Sequence, residues 1–247
     1  RHASNDSARR TKSERLNQSQ PSVSFAGCSW LMIFHLGVLD HLSETYSLDQ
    51  WRFAGSSSGA LTAALGASGT SVWDAKRLLI ELAEASRTRR LGPVGRMSGY
   101  VRDGLERTLP SDAHERASNR LRIGITTLPR LDVTYASQFS SRAELIDAIL
   151  ASCYIPIYYE RPVKFRGQWC IDGGLRDNQP RFDADTITVA PRSGATQVNS
   201  GRRLPRRLSY FPADSGGLEQ LFGMGQRAAR AFGGWPTENR VEHRIQG

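Results

Sequence analysis

Polar and apolar positions along the chain switch between two periods, and the switches mark the elements. Ser22-Val23-Ser24-Phe25-Ala26 alternates and ends at Gly27, as a strand does. Leu31, Phe34, His35, Val38, Leu39 and Leu42 then recur at three and four, predicting an amphipathic helix. A short strand over 51–54 and a Gly- and Ala-rich helix from Ser58 to Ala67 follow. Ser71 with Asp74 forms a capping box for a helix reaching about Ser86. A further helix is expected over Ser98–Leu109. Arg120–Thr127 and Leu131–Gln138 read as two strands around a Pro-containing turn, and Ser141 with Glu144 caps a helix to about Ser152. Strands at 161–166, 168–172 and 186–190, a polar loop over 191–212 and an amphipathic helix over 218–232 complete the pattern. The order β, α, β, α with a later antiparallel pair predicts an α/β fold: a three-layer sandwich around a mixed, mainly parallel sheet.

The 247 residues suffice for one large α/β domain. Residues 1–20, basic and nearly free of apolar side chains, read as a disordered leader, followed by a core region over 21–192 and a loop, helix and tail over 193–247. Arg at the first position implies that the native start lies upstream. No run of eighteen apolar residues exists, and Ser29–Leu39 is too short to span a bilayer. Thirty Arg and three Lys give a net charge of +9, which suits an anionic surface such as phospholipid headgroups. No aromatic-and-basic module supports nucleic acid, so none is expected. Cys28, Cys153 and Cys170 form neither a C-x-x-C nor an even set, which fits an intracellular setting, and no zinc, calcium or phosphate-loop spacing is present. No metal or cofactor is expected.

Gly55-Ser56-Ser57-Ser58-Gly59 is a G-x-S-x-G string between a strand and a small-residue helix. A serine on so sharp a turn is strained, its glycine neighbours let the turn close, and the helix N-terminus favours developing negative charge. A hydroxyl there needs a base. His35, His41 and His114 lie where packing or solvent explains them, and His243 sits in a short charged tail. Asp172, before Gly173-Gly174 at a strand end, is expected at a sheet edge; by itself it fits an ordinary Asp-Gly turn as well as a base. A carboxylate with its usual pKa of about 3.9 is a poor proton acceptor, so a basic Asp172 must be desolvated.

Taken together, Ser24-Phe25-Ala26-Gly27-Cys28, the 55–59 string and Asp172-Gly173-Gly174 resemble the patatin-like phospholipase family. The likeness is closest to its animal subgroup of adipose triglyceride lipase and adiponutrin, through Leu109–Glu115, Ala151–Pro156 and Asp172–Asn178. It spans about residues 22–192. The resemblance implies a Ser57–Asp172 dyad acting through an acyl-enzyme on carboxylic esters of glycerolipids. It places the oxyanion hole at Gly27, Cys28 and Ser29, the nucleophile elbow at Gly55 and Gly59, and the base turn at Gly173 and Gly174. A lipid substrate at a membrane or lipid-droplet surface, in or on the cytoplasm, goes with it; whether a protein activator is needed stays open. One departure stands out: the family's G-x-G-x-x-G is Gly27-Cys28-Ser29-Trp30-Leu31-Met32 here. If Ser29 must adopt positive φ it carries strain, and Met32 crowds the helix or lines an acyl pocket. The alternatives are a weak or inactive lipid-surface protein and an acyltransferase.

Overall fold

The computed structural model describes residues 20–238, 240 and 241. The leader expected over residues 1–20, apart from Gln20, and His243 lie outside them. Seven strands form one mixed sheet with helices on both sides: β1 (Ser22–Phe25), β2 (Arg52–Ser56), β3 (Leu121–Thr127), β4 (Asp132–Ala136), β5 (Val163–Phe165), β6 (Gln168–Ile171) and β7 (Ile187–Val189). Among β1, β2, β3 and β7 every pairing is parallel, as expected of strands joined by helical crossovers. Val23, Phe25, Phe53, Leu121, Ile123 and Ile125 share one face of these central strands and Ser24, Ala54, Thr126 and Thr188 the other, and all are buried, so both faces of the sheet are covered here.

The edge of β3 decides where chemistry can sit. One of its two edges carries β4 along Ile123–Thr127. The other carries parallel β2 only as far as Ser56, opposite Gly124, and then antiparallel β6 from Ile171, opposite Thr126. The chain ends of β2 and β6 therefore point at each other across a gap opposite Ile125. Ser57 follows the first and Asp172 the second. Asp172 thus follows the end of an interior strand, since β6 runs between β5 and β3, and the sheet-edge expectation is corrected.

Helices α1 (Met32–Thr45) and α2 (Ser58–Ser68) are buried almost all round. The sequence read α1 as amphipathic from Leu31; instead a 3-10 turn over Ser29–Leu31 leads in, and even His35 and Asp40 are enclosed. The cover comes from the last helix, α7 (Ser215–Ala231), which presses its backbone on α1: a Cβ at Gly37 would strike Phe222 O, and one at Gly225 would strike Phe34 O. Asp40 answers its own burial by accepting from Gln226 Nε2 at 2.7 Å.

Helices α3 (Val72–Arg87), α4 (Met97–Thr108) and α6 (Arg142–Cys153) match the expected spans. Ser71 and Ser141 cap α3 and α6 by accepting from Asp74 N and Glu144 N at 3.2 and 3.1 Å. The five-residue α5 (Ala113–Ala117) was missed, being too short for a period to show. Helix α7 (Ser215–Ala231) inserts Leu218, Leu221, Phe222 and Ala229 into the core. The segment 191–212 is not all surface, because buried Val198 bridges Val189 at the end of the sheet and Arg206–Ser209 forms a 3-10 turn.

Candidate active site

Ser57 sits between β2 and α2 at φ 56° and ψ −133°, a backbone state that a non-glycine residue holds only under constraint. The neighbouring glycines make the turn possible: a Cβ on Gly59 would strike Phe25 O, and one on Gly55 would strike Gly59's own backbone. Ser57 N–H donates to Ser152 Oγ at 2.8 Å, and Ser152 Oγ donates to Gly124 O at 2.6 Å. Ser56 Oγ donates to Asp177 O at 2.7 Å. The elbow is thereby fastened to β3 beneath it and to the chain beyond Asp172.

Ser57 Oγ donates to Asp172 Oδ2 at 2.6 Å. The other carboxylate oxygen accepts from Gly174 N at 2.8 Å, which orients the group. Asp172 N donates to Tyr154 O and Thr126 Oγ1 donates to Asp172 O, so the backbone at this residue is held from both sides. Gly173 is required because a Cβ there would strike Gly124 O. Burial pushes the Asp172 carboxyl up to about 6, against the smaller opposing pull of the hydrogen bonds from Ser57 and Gly174. A carboxylate raised this far stays ionised at neutral pH yet accepts a proton far more readily than an exposed one.

Of the N–H groups expected to hold an oxyanion, two are already engaged. Gly27 N–H donates to Asn178 O at 3.0 Å, and Cys28 N–H donates to Ser58 Oγ at 2.9 Å. Ser29 is at φ 56°, and its N–H has no hydrogen-bond acceptor among the described residues. The three-residue expectation therefore narrows to Ser29. Asn178 clamps this turn from the base side, with Nδ2 donating to Gly27 O at 3.2 Å. The roles of Ser58, Ser152 and Asn178 escaped the sequence reading: each is an ordinary polar residue whose partner lies far along the chain. All three do stand inside the segments that carried the resemblance.

No described histidine contacts Ser57. His35 packs on Phe25 and on Cys28 Sγ, and burial lowers its pKa to about 3, so it is neutral. Cys28 is pushed up to about 12 by the same burial and is not a thiolate.

Ser57 and Ser29 stand in the wall of an apolar cleft that is open to solvent. Helices α2, α3 and α4 supply its sides through Leu61, Leu65, Leu78, Leu82, Val101 and Leu105. Met32 lines it too, which answers what that bulky residue does in a glycine's place. Among the described residues no group of His, Cys, Asp or Glu could hold a metal ion, and no helix is long and apolar enough to cross a membrane.

Comparison with known proteins converges on the same segments. The family described as patatin-like phospholipase matches residues 23–185. Mouse patatin-like phospholipase domain-containing protein 2 is 37% identical over 185 residues, covering 72% of this chain and 38% of its own length. Mouse 1-acylglycerol-3-phosphate O-acyltransferase Pnpla3 is 35% identical over the same share of this chain and 45% of its own. Human patatin-like phospholipase domain-containing protein 4 is 34% identical over 209 residues, 80% of this chain and 77% of its length. The chain spans less than half the length of the first two relatives. With a family match over most of its core and relatives above one-third identity, the chain belongs to the patatin-like phospholipase family.

Proposed function

We propose that the chain hydrolyses carboxylic esters of lipids, neutral glycerolipids first and phospholipids second, with Ser57 as nucleophile and Asp172 as base. Ser57 Oγ attacks the carbonyl carbon while its proton passes to Asp172 Oδ2. The oxyanion forms against the free Ser29 N–H and the N-terminus of α2. Collapse expels the alkoxide, which takes the proton back from Asp172, and leaves an acyl-enzyme. Water then attacks the acyl carbon, again giving a proton to Asp172; collapse breaks the bond to Ser57 Oγ, which takes that proton back, and the fatty acid departs. The observation that carries this reading is the 2.6 Å Ser57–Asp172 contact in the wall of a cleft lined almost wholly by apolar side chains.

The names of Pnpla3 and of human omega-hydroxyceramide transacylase, 33% identical over 186 residues, favour a second reading. In it an alcohol replaces water as acyl acceptor and the first half-reaction is unchanged. Purified wild-type protein, Ser57→Ala and Asp172→Asn are compared on triacylglycerol and phospholipid emulsions, with and without monoacylglycerol or lysophospholipid as acceptor. Both variants should lose about a thousandfold or more of turnover, and a fluorophosphonate should label wild type but not Ser57→Ala. Equal turnover by Ser57→Ala ends the assignment. Acylated acceptor in place of free fatty acid selects transfer. An unlabelled, inactive wild type would leave a lipid-surface protein without turnover.

A further inference from the structure

Two arginine tracts take no part in this chemistry, Arg87–Arg90 and Arg202–Arg207, yet the fold brings them together. Arg87 Nη1 donates to Pro212 O at 3.1 Å, and the Phe211 ring lies over Gly92, where an added Cβ would stand 3.3 Å from it. A third segment joins them. Tyr158 OH donates to Tyr210 O at 2.9 Å and accepts from Trp30 Nε1 at 2.7 Å, while Gly95 N–H donates to Tyr158 O at 3.0 Å. Loops 88–96, 154–162 and 202–212 therefore meet beside the cleft, whose wall includes Trp30, Ile155 and Tyr158.

Each loop turns large apolar side chains outward. Ile157 is 84% exposed, Leu91 68%, Tyr210 60% and Phe211 55%. Ile157 is also at φ 76°, a conformation in which a β-branched residue is an outlier, so strain and exposure fall on one side chain. Scattered single residues of this kind would need no explanation, but these cluster at the cleft. Around them the charge has one sign. Residues 85–98 contain four Arg and residues 191–213 five, with no Asp or Glu in either stretch. Among the described residues, no ion pair engages Arg89, Arg90, Arg206 or Arg207. The one acid in the third loop, Glu160, is occupied in accepting from Ser98 N and Gly99 N at the start of α4.

We propose that this rim docks the chain on an anionic phospholipid surface. Leu91, Ile157, Tyr210 and Phe211 enter the interface, the arginines hold headgroup phosphates and carboxylates, and the cleft opens onto lipid. The purpose of the surface rests on the ester-hydrolase reading, but binding is separable from turnover. The occupant is chosen by chemistry: apolar side chains that project outward from three loops, ringed by unpaired arginines, complement a negatively charged interface.

The test is co-sedimentation of the full chain with vesicles of phosphatidylcholine, alone or mixed equally with phosphatidylserine. Wild type should bind the mixed vesicles at least tenfold more tightly, and added salt should weaken this. Arg89→Glu/Arg90→Glu and Arg206→Glu/Arg207→Glu should each lower binding at least tenfold, at about fivefold per arginine. Ile157→Ser/Phe211→Ser should lower it by a similar factor. All these positions are exposed and outside the site, so melting temperature and hydrolysis of a water-dissolved short-chain ester should not change. Ser57→Ala should bind as wild type does. Indifference to phosphatidylserine, or variants that bind equally well, overturns the docking surface; that is the outcome if the rim instead receives protein. If vesicle binding follows the expected pattern but the short ester is not cleaved, docking stands and the catalytic reading falls.

Discussion

At Asp172 the same desolvation that makes a better base also destabilises the fold, and the two effects can be measured apart. Its folded pKa of about 6 lies above the ordinary 3.8, so between those values the folded chain holds a proton that the unfolded chain has released. Stability should therefore fall as pH rises across that window, by on the order of 3 kcal/mol, and level off above it. Turnover of a dissolved ester should do the reverse, rising to half its plateau near pH 6. Asp172→Asn should lose activity, lose this slope in stability and melt several degrees higher than wild type at pH 7. A lower melting temperature for the variant would refute the desolvation argument. Ser29 supplies the second test at this scale. The chain has already accepted positive φ there, and its N–H has no acceptor among the described residues despite the missing glycine. Ser29→Gly should relieve about 1 kcal/mol of strain and raise the melting temperature by a few degrees, with activity changing less than about threefold, since a donor already in place adds no transition-state stabilisation. A tenfold gain in activity would show that serine misplaces the donor.

The elements around the site are held at backbone contact, and glycine sets that distance. Gly59 is where α2 meets the carbonyl of Phe25, so Gly59→Ala must push helix and strand apart. Its expected cost is about 3 kcal/mol, seen as a melting temperature lowered by about 6–12 °C, whereas Gly194→Ala, with open space around it, should change nothing. An unshifted Gly59→Ala would mean the elbow is looser than this packing implies. The elements themselves were largely readable in the sequence, because each helix and strand has its own period or cap: Ser71 with Asp74, Ser141 with Glu144, the alternation through Phe25. What periodicity could not show was burial all round. The apparently polar side of α1 includes Asp40, and its partner Gln226 is 186 residues away on α7. The register of β6 past the end of β2 was equally hidden, since it is fixed by pairing with β3 and not by any local pattern.

Across the whole molecule, the gap opposite Ile125 is what turns two loop residues 115 positions apart into neighbours. The sequence showed both residues and, through the family resemblance, their pairing; it did not show the direction in which the cleft runs. That direction follows from the helices. α2 begins at Ser58 and leads away from Ser57, reaching Leu65 after about 10 Å at 1.5 Å per residue. The start of α4 is tied near the 154–162 loop through Glu160, and α4 extends about 16 Å to Thr108 at its far end. Both Leu65 and Thr108 line the cleft, so its lining continues along both helices beyond Ser57. An acyl chain bound along it would gain about 0.8 kcal/mol for each methylene removed from water. Thr108→Phe should fill the far end without touching the elbow. Expected is an unchanged kcat/KM on short-chain esters with a loss of about tenfold or more on long-chain ones, read from a series of esters differing only in acyl length. A uniform loss across the series would mean that the variant disturbs α4 itself, and no loss at any length would mean that the acyl chain leaves Ser57 by another route, toward the rim of loops 88–96, 154–162 and 202–212.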